Sequence, residues 1–284
     1  MTERLADISA RIDNVAQLDA VVTAMRGIAA ARAQQSRALL AGIEAYAQTV
    51  SRAIGQTLAF LDEAPAQSAG GQKQSRAVIL FCAEQGFAGG FSDRVLDTAA
   101  AHIAGAHGIV VGTRGAAIAA ERGLDVAQTV AMASQIGGVS DVANRIADML
   151  YASIAEGAVT HADVFYPWVD ADHSLRVERL ALFPLDLQKF PRPQVAIAPL
   201  VTLQPQSLIE SLAAEYIYAR LCEAAMHAFA AENQARMEAM SSAGRNIDRT
   251  LLELKQRENQ VRQEEVTAEI VELAAGSETM RTSL

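Results

Sequence analysis

The sequence predicts an α/β protein in which a long antiparallel coiled coil of N- and C-terminal helices carries a small α/β domain with a mostly parallel sheet. Three observations predict it. From Gln206 to Gly276 the chain reads as one helix of about seventy residues, without proline and with Gly244 as its single internal glycine, equivalent to about 100 Å of rod. From Thr2 to about Leu61 proline is again absent, and apolar residues recur every three or four positions. Between these ends the texture changes to short β-type runs alternating with short helical ones. A rod that long cannot bury its apolar face in a domain of its own. It needs a partner helix, a partner protein, or both.

Taken in order, the first helix carries a stripe of Leu5, Ile8, Ile12, Val15, Leu18, Val22, Met25 and Ile28. A linker rich in Pro, Gly and Ser, Ala64 to Gly71, follows it. Strands are expected at Ala77–Ala83, Ile109–Gly112, Leu124–Val130, Ala162–Trp168 and Arg176–Phe183, with helices near Ser92–Ala106, Arg114–Arg122 and Val139–Glu156. That alternation reads as a Rossmann-like domain whose last two strands, joined by Val169–Leu175, form an antiparallel hairpin. A proline-rich stretch, Phe183–Pro205, leads into the second long helix. Its stripe runs through Ile209, Leu212, Tyr216, Met226, Phe229, Met237, Met240, Ile247, Leu251, Leu254, Val261, Ile270 and Leu273. The expected organisation is therefore a coil helix over 1–63, the α/β domain over 72–190 and a second coil helix over 206–284. A compact middle separates the helices, so antiparallel pairing is the simplest closure, with the longer C-terminal helix protruding at one end. The stripes lapse at Asp19, Arg26, Glu258 and Glu265, which suits a seam partly handed over to another protein.

Composition narrows the function classes. The 284 residues are 51% hydrophobic and 20% charged, ordinary for a folded soluble chain, and no apolar run is long enough to span a bilayer. The N-terminus lacks the basic start and apolar stretch of a signal peptide. A net charge of −9 argues against nucleic acid as the main partner. Cys82 and Cys222 offer neither a metal spacing nor a disulfide framework and read as two buried thiols.

An α/β domain invites an enzymatic reading, so its glycine clusters are the first candidates. Gly86-Phe87-Ala88-Gly89-Gly90 follows the first strand, where dinucleotide folds place a phosphate loop, yet the spacing is not G-x-G-x-x-G and no lysine precedes a Ser or Thr. Gly112-Thr113-Arg114-Gly115 also joins a strand to a helix whose N-terminus could hold an anion. Both clusters serve equally as tight strand-to-helix turns. His102, His107, His161, His173 and His227 show no ligand spacing, and neither a G-x-S-x-G elbow nor an H-E-x-x-H run is present. The residues point to no catalytic site, no cofactor and no metal.

The run from Ala235 to Asn246 (ARMEAMSSAGRN), Asn259–Gln263 (NQVRQ), Val266–Leu273 (VTAEIVEL) and Gly276 resembles the C-terminal helix of the gamma subunits of F-type ATP synthases. Ala24–Arg32 (AMRGIAAAR) is similar to that family's first helix, where lysines usually occupy the two basic positions. Gly112–Gly115 with Glu121–Gly123, Asp163–Pro167 and Leu182–Leu185 fall in the order of its middle domain, so the resemblance covers essentially the whole chain. It implies a divergent bacterial gamma subunit: a non-catalytic central rotary stalk that couples transmembrane ion flow to ATP synthesis or hydrolysis in the α and β subunits. The implied partners are those subunits, the epsilon subunit and the membrane rotor ring of c subunits, with the chain held peripherally at the cytoplasmic face of the bacterial cell membrane. The alternatives are a nucleotide-binding α/β protein and a non-rotary coiled-coil scaffold.

Carried over residue by residue, the resemblance places Met25 and Arg26 against the levers of the β subunits, and Arg262 and Gln263 against a β-subunit loop high on the shaft. Leu273 opens the tip that runs in the apolar bearing of the hexamer. Three departures stand out. Only the glycine frame of the family's loop after the first middle strand survives in Ala83–Ser92, the chain is acidic where such shafts tend to be basic, and no dithiol insertion of the chloroplast type interrupts the middle domain.

Overall fold

A computed structural model describes residues 5–61, 75–170, 172, 174–191 and 201–282, with side chains placed as far as Leu273. Two compact units emerge, Ala29–Arg236 and the pair of segments Met1–Ile28 and Met237–Leu284, and each is described by itself. Helix α1 runs from Leu5 to Leu58 and α5 from Pro205 to Thr282, so both long helices pass from one unit into the other. The linker expected at Ala64–Gly71 lies outside the described residues.

In the larger unit, β1 (Arg76–Phe81), β2 (His107–Val111), β3 (Gln128–Val130), β4 (His161–Val169) and β5 (Leu175–Phe183) form one sheet in the order β3-β2-β1-β4-β5. The pairs β1–β2, β1–β4 and β2–β3 are parallel, and β4–β5 is the expected antiparallel hairpin. Alternation along each strand sorts the side chains onto two faces. Val78, Leu80, Val110 and Phe165 face α2 (Phe91–Ile103) and α3 (Thr113–Glu121). Ile79, Phe81, Ile109, Val111 and Val164 face α4 (Val139–Ala155), and the rest of that face is covered by Ile217, Leu221, Ala225 and Phe229 of α5. The long helix is thus a structural layer of the α/β body. Leu40 and Ile43 of α1 border the same core.

The two long helices run antiparallel in this unit. Arg37 donates to Gln234 at 2.8 Å, and Tyr46, later in α1, donates to Glu215, earlier in α5. The bond to that carboxylate pushes the Tyr46 phenol up to about 12. Val50, Ile54 and Leu58 pack with Ile209 and with Phe190, whose ring meets Tyr216 edge-on at 5.0 Å. In the smaller unit Ser9 donates to Glu258 at 2.6 Å, and Ile8, Met240, Ile247 and Val261 are buried.

Three sequence expectations change, in the third strand, the seam of α1 and the polar lapses. The third strand spans Gln128–Val130 instead of Leu124–Val130, because Leu124 and Val126 pack under the sheet as part of the connection. The second long helix reaches Thr282, within the coil segment expected over 206–284, and Gly276 does not end it, as an isolated glycine costs a helix only about 1 kcal/mol relative to alanine. Leu18 and Ile28 belong to the outer surface, each 55% exposed or more, and the seam instead follows Ile8, Ile12, Val15, Asp19 and Val22 in steps of four and three. Of the four polar lapses, Asp19 and Glu258 sit half-buried while Arg26 and Glu265 point outward.

One polar side chain gives the core a pH dependence. His227 of α5 stacks on Tyr166 at 5.8 Å, and burial lowers its pKa below the ordinary 6.5 against the opposing pull of Glu44 and Glu178. The unfolded chain therefore binds more protons between the folded value and pH 6.5, so this stability is complete above pH 6.5 and is lost as pH falls through the folded value. His227→Gln is expected to abolish that part of the slope. Chemical denaturation of both proteins across this window checks it, and superimposable stability–pH curves would refute it.

Candidate partner-binding surfaces

Parallel sheets of this order bind ligands beyond the C-terminal ends of the strands, in the crevice where the connections diverge to opposite sides. Here that crevice lies between β1 and β4, and protein fills it. Ala83 and Ala88 from the loop after β1 and Phe91 from the start of α2 pack with Ala231 and Ala235 of α5 and with Val169 and Leu175 of the hairpin. Beside them the carboxylate of Glu232 accepts from the amides of Glu84 and Gln85 at 3.2 and 3.3 Å. The Arg236 guanidinium pairs with Glu232 and donates to the carbonyls of Gly86 at 3.3 Å and Gln85 at 3.5 Å. Both charged side chains are at most 7% exposed. These bonds hold the glycine-rich loop firmly on the long helix.

The second glycine cluster is equally occupied. At the N-terminus of α3 the Glu84 carboxylate accepts from the Thr113 amide at 3.0 Å, the Thr113 hydroxyl at 2.9 Å and the Met132 amide at 2.7 Å. An internal carboxylate therefore sits where an external anion would be held. Gly112 has φ +113°, and a Cβ there would lie 2.5 Å from the Cys82 carbonyl oxygen; at Gly115 it would lie 2.0 Å from the Cys82 Cβ. These glycines let α3 close onto β1. Cys82 itself is buried, which pushes its thiol up to about 12 and leaves it a packing group. Among the described residues no cluster of His, Cys, Asp or Glu could hold a metal ion.

The residues expected to meet partners lie on the smaller unit. Met25 is half-buried and Arg26 exposed. Met25 borders an apolar stripe that sequence reasoning missed as such: Leu18, Val21 and Ile28, spaced to share a helix face and each more than half exposed. Arg262 and Gln263 are exposed, and Arg262 reaches back to Glu258 at 3.8 Å. Every residue from Arg262 to Leu273 is exposed, because the buried seam of α5 ends at Val261. Ile270 and Leu273, expected to continue the seam, are 60% and 75% exposed and form with Val266 a second uncovered stripe, headed by Arg262 and Gln263. The spacing of both stripes was visible in the sequence; which apolar face the partner helix covers was not. Phe87 is a further exposed apolar residue, 68% accessible at the tip of the clamped loop, and its φ of 62° is unusual for a bulky side chain.

Fold and surfaces together define a coiled-coil protein whose α/β body grips a long helix with the crevice that related sheets use for ligands. Comparison with known proteins specifies the family. The model of the family described as ATP synthase matches residues 4–280. Similar proteins include the ATP synthase gamma chain of Frankia casuarinae, 27% identical with 99% of each chain covered, and that of Moorella thermoacetica, 23% identical with 98% of this chain and 99% of the relative covered. Among solved structures, a chain of the Euglena gracilis mitochondrial ATP synthase OSCP/F1/c-ring assembly shares the fold with a TM-score of 0.66 at 13% identity, over 98% of this chain and 95% of that one. The chain belongs to the ATP synthase family.

Proposed function

We propose that this chain is the central rotary stalk (gamma) subunit of an F-type ATP synthase, coupling transmembrane ion flow to ATP synthesis or hydrolysis in partner α and β subunits. The observation that carries the reading is the family match over residues 4–280, on a chain whose long helices leave apolar stripes uncovered. The subunit transmits rotation and performs no bond chemistry. In keeping with that role, the crevice that would admit a nucleotide is filled by Ala231, Ala235, Glu232 and Arg236. Its partners are the α and β subunits, the epsilon subunit and the ring of c subunits. Among the described residues no helix is long and apolar enough to cross a membrane, and the proposed location is peripheral, at the cytoplasmic face of the bacterial membrane through the complex.

Met25 and Arg26, with Leu18, Val21 and Ile28, supply one surface for the β subunits. Arg262 and Gln263 supply hydrogen bonds to a second β-subunit site, a guanidinium fork and an amide being suited to carboxylate and backbone acceptors. Leu273, with Val266 and Ile270, enters an apolar bearing. The coil over 1–63 and 206–284 is then the shaft, and residues 72–190 form the part that meets the epsilon subunit and the rotor ring.

Gentle solubilisation of membranes, affinity capture of the tagged chain and mass spectrometry test the reading. Recovery with α and β subunits in excess, together with a c subunit, is expected. Recovery alone or as a homodimer would replace the stalk by a scaffold. The double variant Val21→Asp, Ile28→Asp is expected to weaken capture of β about 30-fold or more, as for loss of an interface hot spot. Its unfolding free energy should stay within about 0.5 kcal/mol of wild type, because both side chains lie outside the seam. Undiminished capture would remove this stripe from the interface.

A further inference from the structure

From Ala228 to Gln234 seven consecutive residues of α5 are buried. At 3.6 residues per turn this run covers nearly two turns, so every side of the helix is enclosed there. The chemistry changes within it. Upstream, Ile217, Leu221, Ala225 and Phe229 meet the sheet through apolar contact alone. Such contact is non-directional and resists sliding or turning of a helix only through shape. Between positions 232 and 236 the buried residues are Glu232, Asn233, Gln234 and Arg236.

Each of these polar groups has a fixed partner. Glu232 holds two amides of the loop after β1, and Arg236 holds two of its carbonyls. Asn233 donates to the Phe229 carbonyl at 2.8 Å and accepts from Arg236 at 3.4 Å. Gln234 accepts from Arg37 of α1 at 2.8 Å. The Asn233 bonds stay within α5, but those of Glu232, Arg236 and Gln234 reach other elements. Because hydrogen bonds lose strength steeply with angle, they specify both the rotation of α5 about its axis and its position along it. Burying an ion pair where apolar residues would pack seldom adds stability, but it can specify registry. Arg236 is also the last residue of the larger unit, and α5 continues from it directly into the other.

We propose that this polar collar is the rotational lock by which the α/β body and α5 turn as one, with Glu232 and Arg236 as its positioning residues. The proposal rests on the stalk reading. Torque leaving the coil must enter the body, and the collar is where directional bonds transfer it. A greased grip in the same place would hold the helix but let it turn under load.

The test uses inverted membrane vesicles carrying the whole complex with either wild-type chain or a variant. ATP hydrolysis is measured beside ATP-driven uptake of protons, by a pH-sensitive dye, and of radiolabelled sodium. The pair variant E232M/R236M removes the bonds to the loop without leaving an unpaired charge. It is expected to keep hydrolysis within about twofold while lowering ions moved per ATP about 3- to 10-fold, the scale of coupling losses at positioning residues. R236K keeps the charge but lacks the planar fork, and a smaller fall in the same ratio is expected. An unchanged ratio in the assembled variants overturns the lock. If the pair variant does not assemble, the R236K ratio decides alone. If the wild-type chain is absent from complexes containing α and β subunits, the stalk reading fails and the lock falls with it.

Discussion

Arg236→Ala is expected to destabilise the α/β body by about 3–5 kcal/mol, the scale for stranding one member of a buried ion pair. The Glu232 side chain is 5% exposed, so its carboxylate cannot recover hydration when the guanidinium is removed. The amides of Glu84 and Gln85, at 3.2 and 3.3 Å, compensate it only in part. The carbonyls of Gln85 and Gly86 lose a donor at the same time, which frees the loop after β1 from α5. Denaturant unfolding of the purified full chain measures the effect, and a loss under about 1 kcal/mol would show that the pair is hydrated or slack. The contrast with E232M/R236M is informative. Removing both charges strands neither, so that variant is expected to lose less stability than Arg236→Ala, and its own unfolding curve shows whether a coupling defect comes from a melted body.

Gly112→Ala and Gly115→Ala are expected to lower stability by about 2–5 kcal/mol each in the absence of any ligand, combining overpacking with, at Gly112, backbone strain. The new methyl at 112 meets the carbonyl oxygens of Cys82 and Ala83 at 2.5 and 2.6 Å, where no rotamer can yield. At 115 it runs into Cys82, which directly follows β1 and is tied to β2 by the bond from its amide to the Val111 carbonyl at 2.8 Å. A phosphate-cradling role predicts the opposite result: normal stability in the free chain and loss of nucleotide affinity alone. Thermal unfolding beside a nucleotide titration separates the two, and a stable Gly115→Ala variant that had lost a measurable affinity would reopen the nucleotide-binding reading.

Much of this architecture was legible in local patterns. The long helices, α4 and the β4–β5 hairpin follow from missing prolines, apolar spacing and polar turns, all of which are short-range signals. The filled crevice was not legible, because Arg236 and Gly86 stand 150 positions apart and nothing in either segment announces the other. Glu84 illustrates the same limit. In sequence it is one more acidic residue before a glycine frame, and only the strand order brings it to the N-terminus of α3 and the end of β3. Met25, Arg26, Arg262, Gln263 and Leu273 are proposed as contacts by resemblance, since a side chain on the outer part of a helix carries no local mark of its partner. The outer stripes were misread for a related reason. Leu18 and Ile270 repeat at helical spacing as a seam does, and the choice between faces depends on which one the opposite helix covers.

The layering of the body also bears on how the chain is made. Strands β1 to β5 and helices α2 to α4 are complete by Phe183, but one face of the sheet still lacks Ile217, Leu221, Ala225 and Phe229. During synthesis, Ile79, Val111 and Val164 remain without that cover until the segment through Phe229 has left the ribosome, and the loop after β1 waits longer for Arg236. Domains that finish from local contacts can fold as they emerge, whereas this one closes on a late segment and exposes an apolar sheet face meanwhile. A nascent chain arrested after Phe183 should therefore bind holdase chaperones and remain protease-sensitive. One with residues through about Val261 outside the tunnel should have completed the body, even though the uncovered turns of α5 that follow are still inside it.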